Sequence, residues 1–391
     1  MVFSVITVSA IAFILRHHAV DNLPNDYDEW VYLTAGRNYA SAIQNGDWQA
    51  ILNSPQNYEH PIFNKLVYAF GILDLDLTPV DNGNYLVNQT CYGAAACRLQ
   101  DRARWISTGF GVLAAGLLAL VSPLAGLLLA VHTFAVKYTS VVYLEALPAC
   151  TSLVAVLAYA HWLNSFIGKD ENRRWGKIGW LALSALMLGV SAASKYLYAV
   201  VGIVIVLHFL LYSLLRRQFR IRKLLPLAAW GIGALVIFFL CDPYLWPDPI
   251  HRLRESLSFN VAFSQGDYVN SYPYPFWQPL RWLSRSVTTF KARYIPQLPG
   301  NFPVALDGWI LWLAILGFPR LVYKRPLYAL WFGVGMAFLL VWTTKWPQYV
   351  LIVLAPWCFS AGEGLVTLFW LGRFALGGNK EKPANQSPVL E

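Results

Sequence analysis

Long apolar runs separated by short polar turns dominate the chain. A membrane-spanning helix needs about 20 mainly apolar residues, with roughly 17–25 as the working range. Runs of this kind lie near 2–16, 104–121, 124–140, 142–163, 178–194, 197–214, 224–241, 304–320, 326–343 and 347–370. They predict an all-α integral membrane protein with about ten transmembrane helices. Lys137 interrupts the third run and Glu145 the fourth. Val2–Leu15 has neither a basic start nor a small-residue cleavage site after it. It therefore reads as the first membrane helix, short or truncated at its start, rather than as a signal peptide.

Two long stretches, near 17–103 and 242–303, fall outside this pattern. Connections of such length in a compact protein are usually functional. The first has helix-like periodicity over Glu29–Gln44 and again over Pro61–Leu73. The second mixes Trp, Tyr, Pro and Arg over Ser271–Leu283, as a segment lying on a membrane surface would. The organisation expected is one transmembrane domain over 1–376, two long loops carrying surface helices, and a polar tail over 377–391.

Composition strengthens the membrane reading. Charged residues make up 13% of the chain and hydrophobic ones 57%, whereas soluble domains carry about 25% charged residues. The net charge of +9 comes from short clusters. Lys169, Arg173, Arg174 and Lys177 form one, Arg216, Arg217, Arg220, Arg222 and Lys223 a second, and Arg320, Lys324 and Arg325 a third. Arg373, Lys380 and Lys382 lie in the tail. The alternate turns hold single lysines: Lys137, Lys195 and Lys345. This alternation follows the positive-inside rule, with both ends cytoplasmic and both long loops outward. The charge is topogenic and argues against a nucleic-acid partner. A multi-pass protein of a plasma or inner membrane, or of the endoplasmic reticulum, is expected, with its chemistry facing outward.

Cys91 and Cys97 share the first outward loop, where a disulfide is compatible with an oxidising side; Cys150, Cys241 and Cys358 read as small core hydrophobes. Asn88-Gln89-Thr90 is a glycosylation sequon.

Candidate chemistry collects in the loops and at helix ends. Asp26, Asp28 and Glu29 follow the first helix. Carboxylates at a membrane edge are rare unless they act, and a partly desolvated one can serve as a general base; the bland alternative is a helix cap. Next comes Tyr58-Glu59-His60-Pro61 with Lys65. Pro61 suits a first helical turn, so His60, Lys65 and free backbone amides could meet an anion; otherwise Lys65 snorkels to headgroups. Lys195 and Lys345 either bind a lipid phosphate or anchor their helices. Glu145, alone in an apolar stretch, implies a partner or an aqueous cavity. Asp242 opens the second loop in Cys241-Asp242-Pro243, as catalyst or as turn residue. A divalent metal near the acids and His60 is compatible with these residue types, although no ligand spacing requires it.

In order, the segments are the acids after helix one, Glu59-His60-Pro61 with Lys65, and Asp101-Arg102-Ala103-Arg104. Glu145, Ser194-Lys195-Tyr196, Asp242-Pro243-Tyr244-Leu245-Trp246-Pro247-Asp248-Pro249 and Lys345-Trp346-Pro347-Gln348-Tyr349 follow. This order, spanning about 20 to 365, resembles the GT-C membrane glycosyltransferases of the protein O-mannosyltransferase and aminoarabinose transferase superfamily. The resemblance implies a polyprenyl-phosphate-linked sugar donor and an acceptor hydroxyl on a glycan, lipid or protein outside the membrane. It further implies transfer with inversion in one displacement. It assigns catalytic roles to Asp28, Glu29 and Glu145, and donor-phosphate binding to Lys195, His60, Lys65 and Tyr349. Glu59, Arg102 and Asp242 become substrate or structural support. The second motif departs from many relatives in having one Pro where they have two. The loop at 242–303 has no room for the sugar-binding-like domain of fungal protein mannosyltransferases. The rival class is a polytopic transporter or lipid flippase, which should show inverted repeats and midplane polar groups; here the polar residues gather in loops, and no repeat is visible.

Overall fold

The computed structural model describes residues 2–53, 55–77, 94–167, 174–215, 224–287, 297–298, 302–303 and 306–375. The sequon at 88–90, Cys91, the basic residues Lys169, Arg173, Arg216, Arg217, Arg220, Arg222 and Lys223, and the tail at 377–391 lie outside the described residues, as do the side chains of Arg174 and Lys177.

The fold is all-α. Helix α1 (Val2–Asn22) leads into the first long connection, which forms α2 (Tyr27–Gln44), α3 (Trp48–Asn53) and α4 (Phe63–Gly71). The bundle continues with α5 (Ala94–Val121), α6 (Pro123–Val131), α7 (Thr133–Tyr138), α8 (Ala146–Ile167), α9 (Arg174–Ser194), α10 (Val200–Leu215) and α11 (Leu225–Cys241). The second connection forms α12 (Pro249–Ser264), α13 (Asp267–Asn270) and α14 (Gln278–Leu283). Helices α15 (Asp307–Lys324), α16 (Pro326–Val341) and α17 (Leu351–Ala375) complete the chain. Among the described residues, one two-residue antiparallel pairing, Gln297–Leu298 with Phe302–Pro303, is the sole strand structure.

Among the described residues, five segments are long and apolar enough to cross a membrane: Val2–Asn22, Ala94–Val121, Ala146–Ser165, Tyr196–Leu215 and Pro347–Phe374. Ile178–Ser194, Leu225–Cys241 and Pro326–Val341 are shorter apolar helices. Large apolar side chains stay uncovered along these helices, among them Ile232 and Leu235 of α11 and Leu211 and Leu214 of α10. A multi-pass protein presents such a surface to lipid. Helix α17 is the hub, with Val353, Cys358, Phe359 and Ala361 fully enclosed. It crosses α15 at Gly317 and Gly364. A Cβ on Gly317 would stand 2.0 Å from Ser360 O, and one on Gly364 2.0 Å from Leu313 O, so only glycine permits this approach.

The continuous helix expected near 124–140 is instead broken at His132, whose backbone is extended (φ −63°, ψ 122°). The cause is not local. Asp307, at the start of α15, lies 2.8 Å from His132 Nδ1 and accepts from Thr133 N at 2.9 Å and Thr133 Oγ1 at 2.9 Å. The break frees carbonyls of α6, and buried Arg16 of α1 donates to Ala130 O at 3.2 Å and, through Nε, to Thr139 Oγ1 at 2.7 Å. Buried polar backbone in a membrane fold has to find such partners.

The two long connections interlock. Arg252 of α12 donates to Leu52 O and, at 2.8 Å, to Tyr244 O. Ser256 donates to Tyr58 O at 2.7 Å and Asn260 to Glu59 O at 2.9 Å. The loop between α3 and α4 is thereby held from above by α12, and the site is built beneath it.

Candidate functional site

A cavity of about 820 Å³ opens between the two connections and the bundle end. Asp26, Asp28, Tyr32, Glu59, His60, Lys137, Lys195, Gln348 and Tyr349 line it together with an aromatic wall. Asp28 and Tyr32 reach it from one face of α2, four residues apart. Gln348 Nε2 stands 3.5 Å from Asp28 Oδ2. Burial pushes the Asp28 carboxyl up to about 7, against the pull of Lys195, while Asp26, Glu145 and Glu59 push it further up. Asp26 lies 3.5 Å from Lys137 Nζ. Burial also raises Glu59, which accepts from Asn57 Nδ2.

Lys195 follows α9 and heads the 3₁₀ turn Tyr196–Ala199. It is 1% exposed, pairs with Glu145, and places its Nζ 4.9 Å from the centre of the Tyr349 ring. Glu145 is fully buried under Lys195 and is not among the residues lining the cavity. Its contact with the cavity runs through Lys195, with which it pairs.

Several expected site residues are drawn elsewhere. Glu29 points about 100° around α2 from Asp28. It accepts from Arg104 Nε at 2.6 Å and Nη2 at 2.7 Å, and from Val142 N at 3.0 Å, away from the cavity. Arg104 also donates to Val20 O and Leu23 O at the end of α1, so this pair fastens α1, α2 and α5 together. Arg102 is at the surface, with Nη1 3.3 Å from Asp74 Oδ1, and the buried supporting arginine is Arg104. Lys65 is fully buried and donates to Gln56 O, Asn57 O and His60 O at 2.8, 2.6 and 3.0 Å. All three of its N–H groups serve the loop that carries Glu59 and His60, leaving none for a phosphate. Burial pushes it down to about 7. His60 does line the cavity, but burial and the nearby Lys195 and Lys65 cations hold its imidazole well below its usual range. Asp242 accepts from Ile62 N at 3.4 Å and braces the start of α4. Lys345 donates to Leu339 O, Leu340 O and Trp342 O, closing the end of α16.

Tyr32 and Gln348 enter the site without having been site candidates in the sequence, and Lys137, marked there only as a lone lysine interrupting an apolar run, joins them. The four-residue step from Asp28 to Tyr32 was the one local sign available. No group of three His, Cys, Asp or Glu side chains placed to hold a metal ion occurs among the described residues. Cys97 is disulfide-bonded, while Cys150, Cys241 and Cys358 are free thiols.

Apolar helices with two interlocked connections closing over one end make a fold of the GT-C type. Solved structures share it. ArnT from Cupriavidus metallidurans bound to undecaprenyl phosphate is similar at a TM-score of 0.61 and 16% identity, over 95% of this chain and 62% of ArnT. The Archaeoglobus fulgidus oligosaccharyltransferase in its apo form follows at 0.56 and 12% identity, over 97% of this chain and 52% of that one. The same organism's AglB, in complex with an inhibitory peptide and a dolichol-phosphate, gives 0.52 and 12% over 96% and 52%. The chain therefore spans less than two thirds of the length of these proteins. No protein-family model matches the sequence, and no curated protein does.

Proposed function

We propose that the protein transfers a sugar from a polyprenyl-phosphate-linked donor to an acceptor hydroxyl, at a cavity on the outer side of the membrane. One observation carries the reading: Asp28, a carboxyl tuned to about 7, shares a cavity with Lys195, a buried cation with N–H groups to spare. Transfer needs both a base and a stabiliser of leaving-group charge. Asp28 takes the proton of the acceptor hydroxyl as its oxygen bonds to the anomeric carbon. The bond from that carbon to the phosphate oxygen breaks, and its electron pair leaves with the polyprenyl phosphate. Lys195 meets the phosphate with a charge-assisted hydrogen bond, and Tyr349 shields that contact from water. Attack opposite the leaving phosphate inverts the anomeric centre.

The neighbours support the donor class. One is described as bound to undecaprenyl phosphate and another to a dolichol-phosphate. About ten spans with both ends cytoplasmic would place the cavity outward, as the basic clusters require. The test is incubation of the purified protein with a panel of radiolabelled polyprenyl-phosphate sugars. Sugar release or transfer from at least one, lost in Asp28→Asn, supports the reading. Inertness toward the whole panel, with no binding of the lipid phosphate, overturns it.

A further inference from the structure

The two walls of the cavity differ in chemistry. The wall formed by α2, the 55–61 loop and α7 carries Asp26, Asp28, Glu59 and Lys137, with Lys195 beside them. A second part of the lining, which meets the first where Phe259 packs on Tyr58 and Asn260 donates to Glu59 O, is aromatic: Phe259 and Phe263 from α12, Tyr268 from α13, then Tyr272, Tyr274 and Trp346. These rings form one connected sheet of contacts. Phe259 stacks on Phe263 at 6.2 Å and 10°, and Phe263 reaches Tyr268 at 6.1 Å. Trp346 meets Tyr268 at 5.9 Å and Tyr272 at 5.6 Å, and Tyr272 stacks on Tyr274 at 6.1 Å and 23°. Tyr268, Tyr272 and Tyr274 remain 53%, 43% and 40% exposed, so their surfaces are open to a ligand.

We propose that this aromatic wall is the acceptor subsite and that the acceptor is a neutral saccharide, free or carried by a glycolipid. The proposal rests on the glycosyltransferase reading and adds the class of acceptor. A pyranose ring presents an apolar patch of C–H groups on its face and hydroxyls around its rim. Aromatic faces take the patch, and phenol and amide groups reach the rim. The cavity offers this combination, with Asn260, Thr344 and Gln348 among the aromatic side chains. Charge narrows the choice further. Lys137 and Lys195 are the two Lys or Arg side chains lining the cavity, and each already faces a carboxylate, Asp26 or Glu145. The aromatic wall brings no charge of its own. With Lys137 on Asp26 and Lys195 given to the donor phosphate, a phosphorylated acceptor on these neutral rings would find no further Lys or Arg side chain in the lining. Anchoring in the headgroup region also uses Tyr and Trp, but such anchors need not border a cavity lined by three carboxylates, as these rings do.

The experiment uses the full chain in nanodiscs and measures equilibrium binding of unphosphorylated manno-, gluco- and galacto-oligosaccharides. Each is offered free and as a lipid-linked form in the bilayer. Undecaprenyl phosphate binding is measured separately. At least one neutral sugar should bind; Tyr272→Ala and Trp346→Ala should each weaken it by up to about tenfold. Tyr272→Phe, which keeps the ring, should retain most of the affinity, and lipid-phosphate binding should be unchanged throughout. Binding of free sugar shows that the saccharide alone is recognised; binding of the lipid-linked form only shows that the source is a membrane glycolipid. Either supports the proposal. It is overturned if no neutral sugar binds in either form, if both Ala variants bind like the wild type, or if a peptide or a phosphorylated glycolipid shows the ring dependence instead. Sugar binding without lipid-phosphate binding would sink the donor reading and leave the saccharide subsite standing. The reverse result would remove only the subsite.

Discussion

Replacing Asp28 with Asn removes the proton acceptor while keeping size and one hydrogen-bonding oxygen, and its effects on rate and on stability can be worked out separately. Burial holds the Asp28 carboxyl at about 7 against an ordinary 3.8. At pH 6 about a tenth of such a group is ionised and at pH 8 about nine tenths, so a base-dependent kcat/KM should climb about tenfold across that interval. Asp28→Asn should flatten the profile and lower the rate by about 10²–10⁴. Stability moves the other way. Between 3.8 and about 7 the folded protein keeps a proton that the unfolded chain releases, so wild-type stability is full below the lower value and falls as pH rises to the upper. The gap of about three units corresponds to roughly 4 kcal/mol, all lost by pH 8. Asp28→Asn carries no such loss and should unfold at higher temperature than the wild type at pH 8, while the two converge near pH 4. The assay pairs donor-to-acceptor transfer with thermal unfolding in one detergent across pH 4–8. A pH-independent wild-type rate with an active Asp28→Asn would refute the base assignment, and an Asp28→Asn less stable at pH 8 would refute the burial argument beneath it.

Three further outcomes follow from the same contacts. Lys195→Ala should weaken polyprenyl-phosphate binding by roughly 10- to 100-fold, the worth of a charge-assisted contact of about 1.5–3 kcal/mol; unchanged affinity in a filter-binding assay would make Lys195 only a structural partner of Glu145. Lys65→Met should leave three carbonyls of the 55–61 loop unmet, exposing that loop to proteolysis and lowering transfer although Lys65 touches no substrate; an intact loop with normal turnover would contradict this. Cysteines placed at Ser271 and Lys324 should label from outside intact cells and only after permeabilisation, respectively, and the opposite pattern would invert the topology.

The sequence was informative where the signal is local. Apolar run length marked the long apolar helices, and the two long connections announced themselves as gaps in that pattern. The surface helices expected over 29–44 and 61–73 appear as Tyr27–Gln44 and Phe63–Gly71. It was uninformative where one element decides the state of another. Nothing near His132 breaks a helix; the agent is Asp307, whose partner Thr133 lies 174 residues away. Glu145 was legible as an acid needing a partner and Lys195 as a cation out of keeping with its turn. Only packing that brings together the starts of α8 and of the 3₁₀ turn Tyr196–Ala199 joins two residues 50 apart. Asp28 and Glu29 looked equivalent as neighbours in a string, and one helical step sent one to the cavity and the other to Arg104.

That separation suggests how buried cations in this fold divide between structure and chemistry. A lysine has three N–H donors. Lys65 and Lys345 each spend them on three backbone carbonyls, so neither has capacity for a ligand. Arg104 is occupied by a carboxylate and by the carbonyls ending α1, and Arg16 by Thr139, Ala12 O and Ala130 O. Lys195 instead meets one carboxylate oxygen and the face of an aromatic ring, and it borders the cavity. A phosphate arriving there would add hydrogen bonds without breaking a structural one. Glu145 holds the charge in the meantime, since a lone buried ammonium would be costly. Removing both partners together, as Lys195→Met with Glu145→Leu, should therefore restore much of the stability that either single change loses, yet not restore phosphate binding. Thermal unfolding and lipid-phosphate binding measured on the three variants separate these effects. Recovery of binding in the double variant would show that Lys195 never met the phosphate.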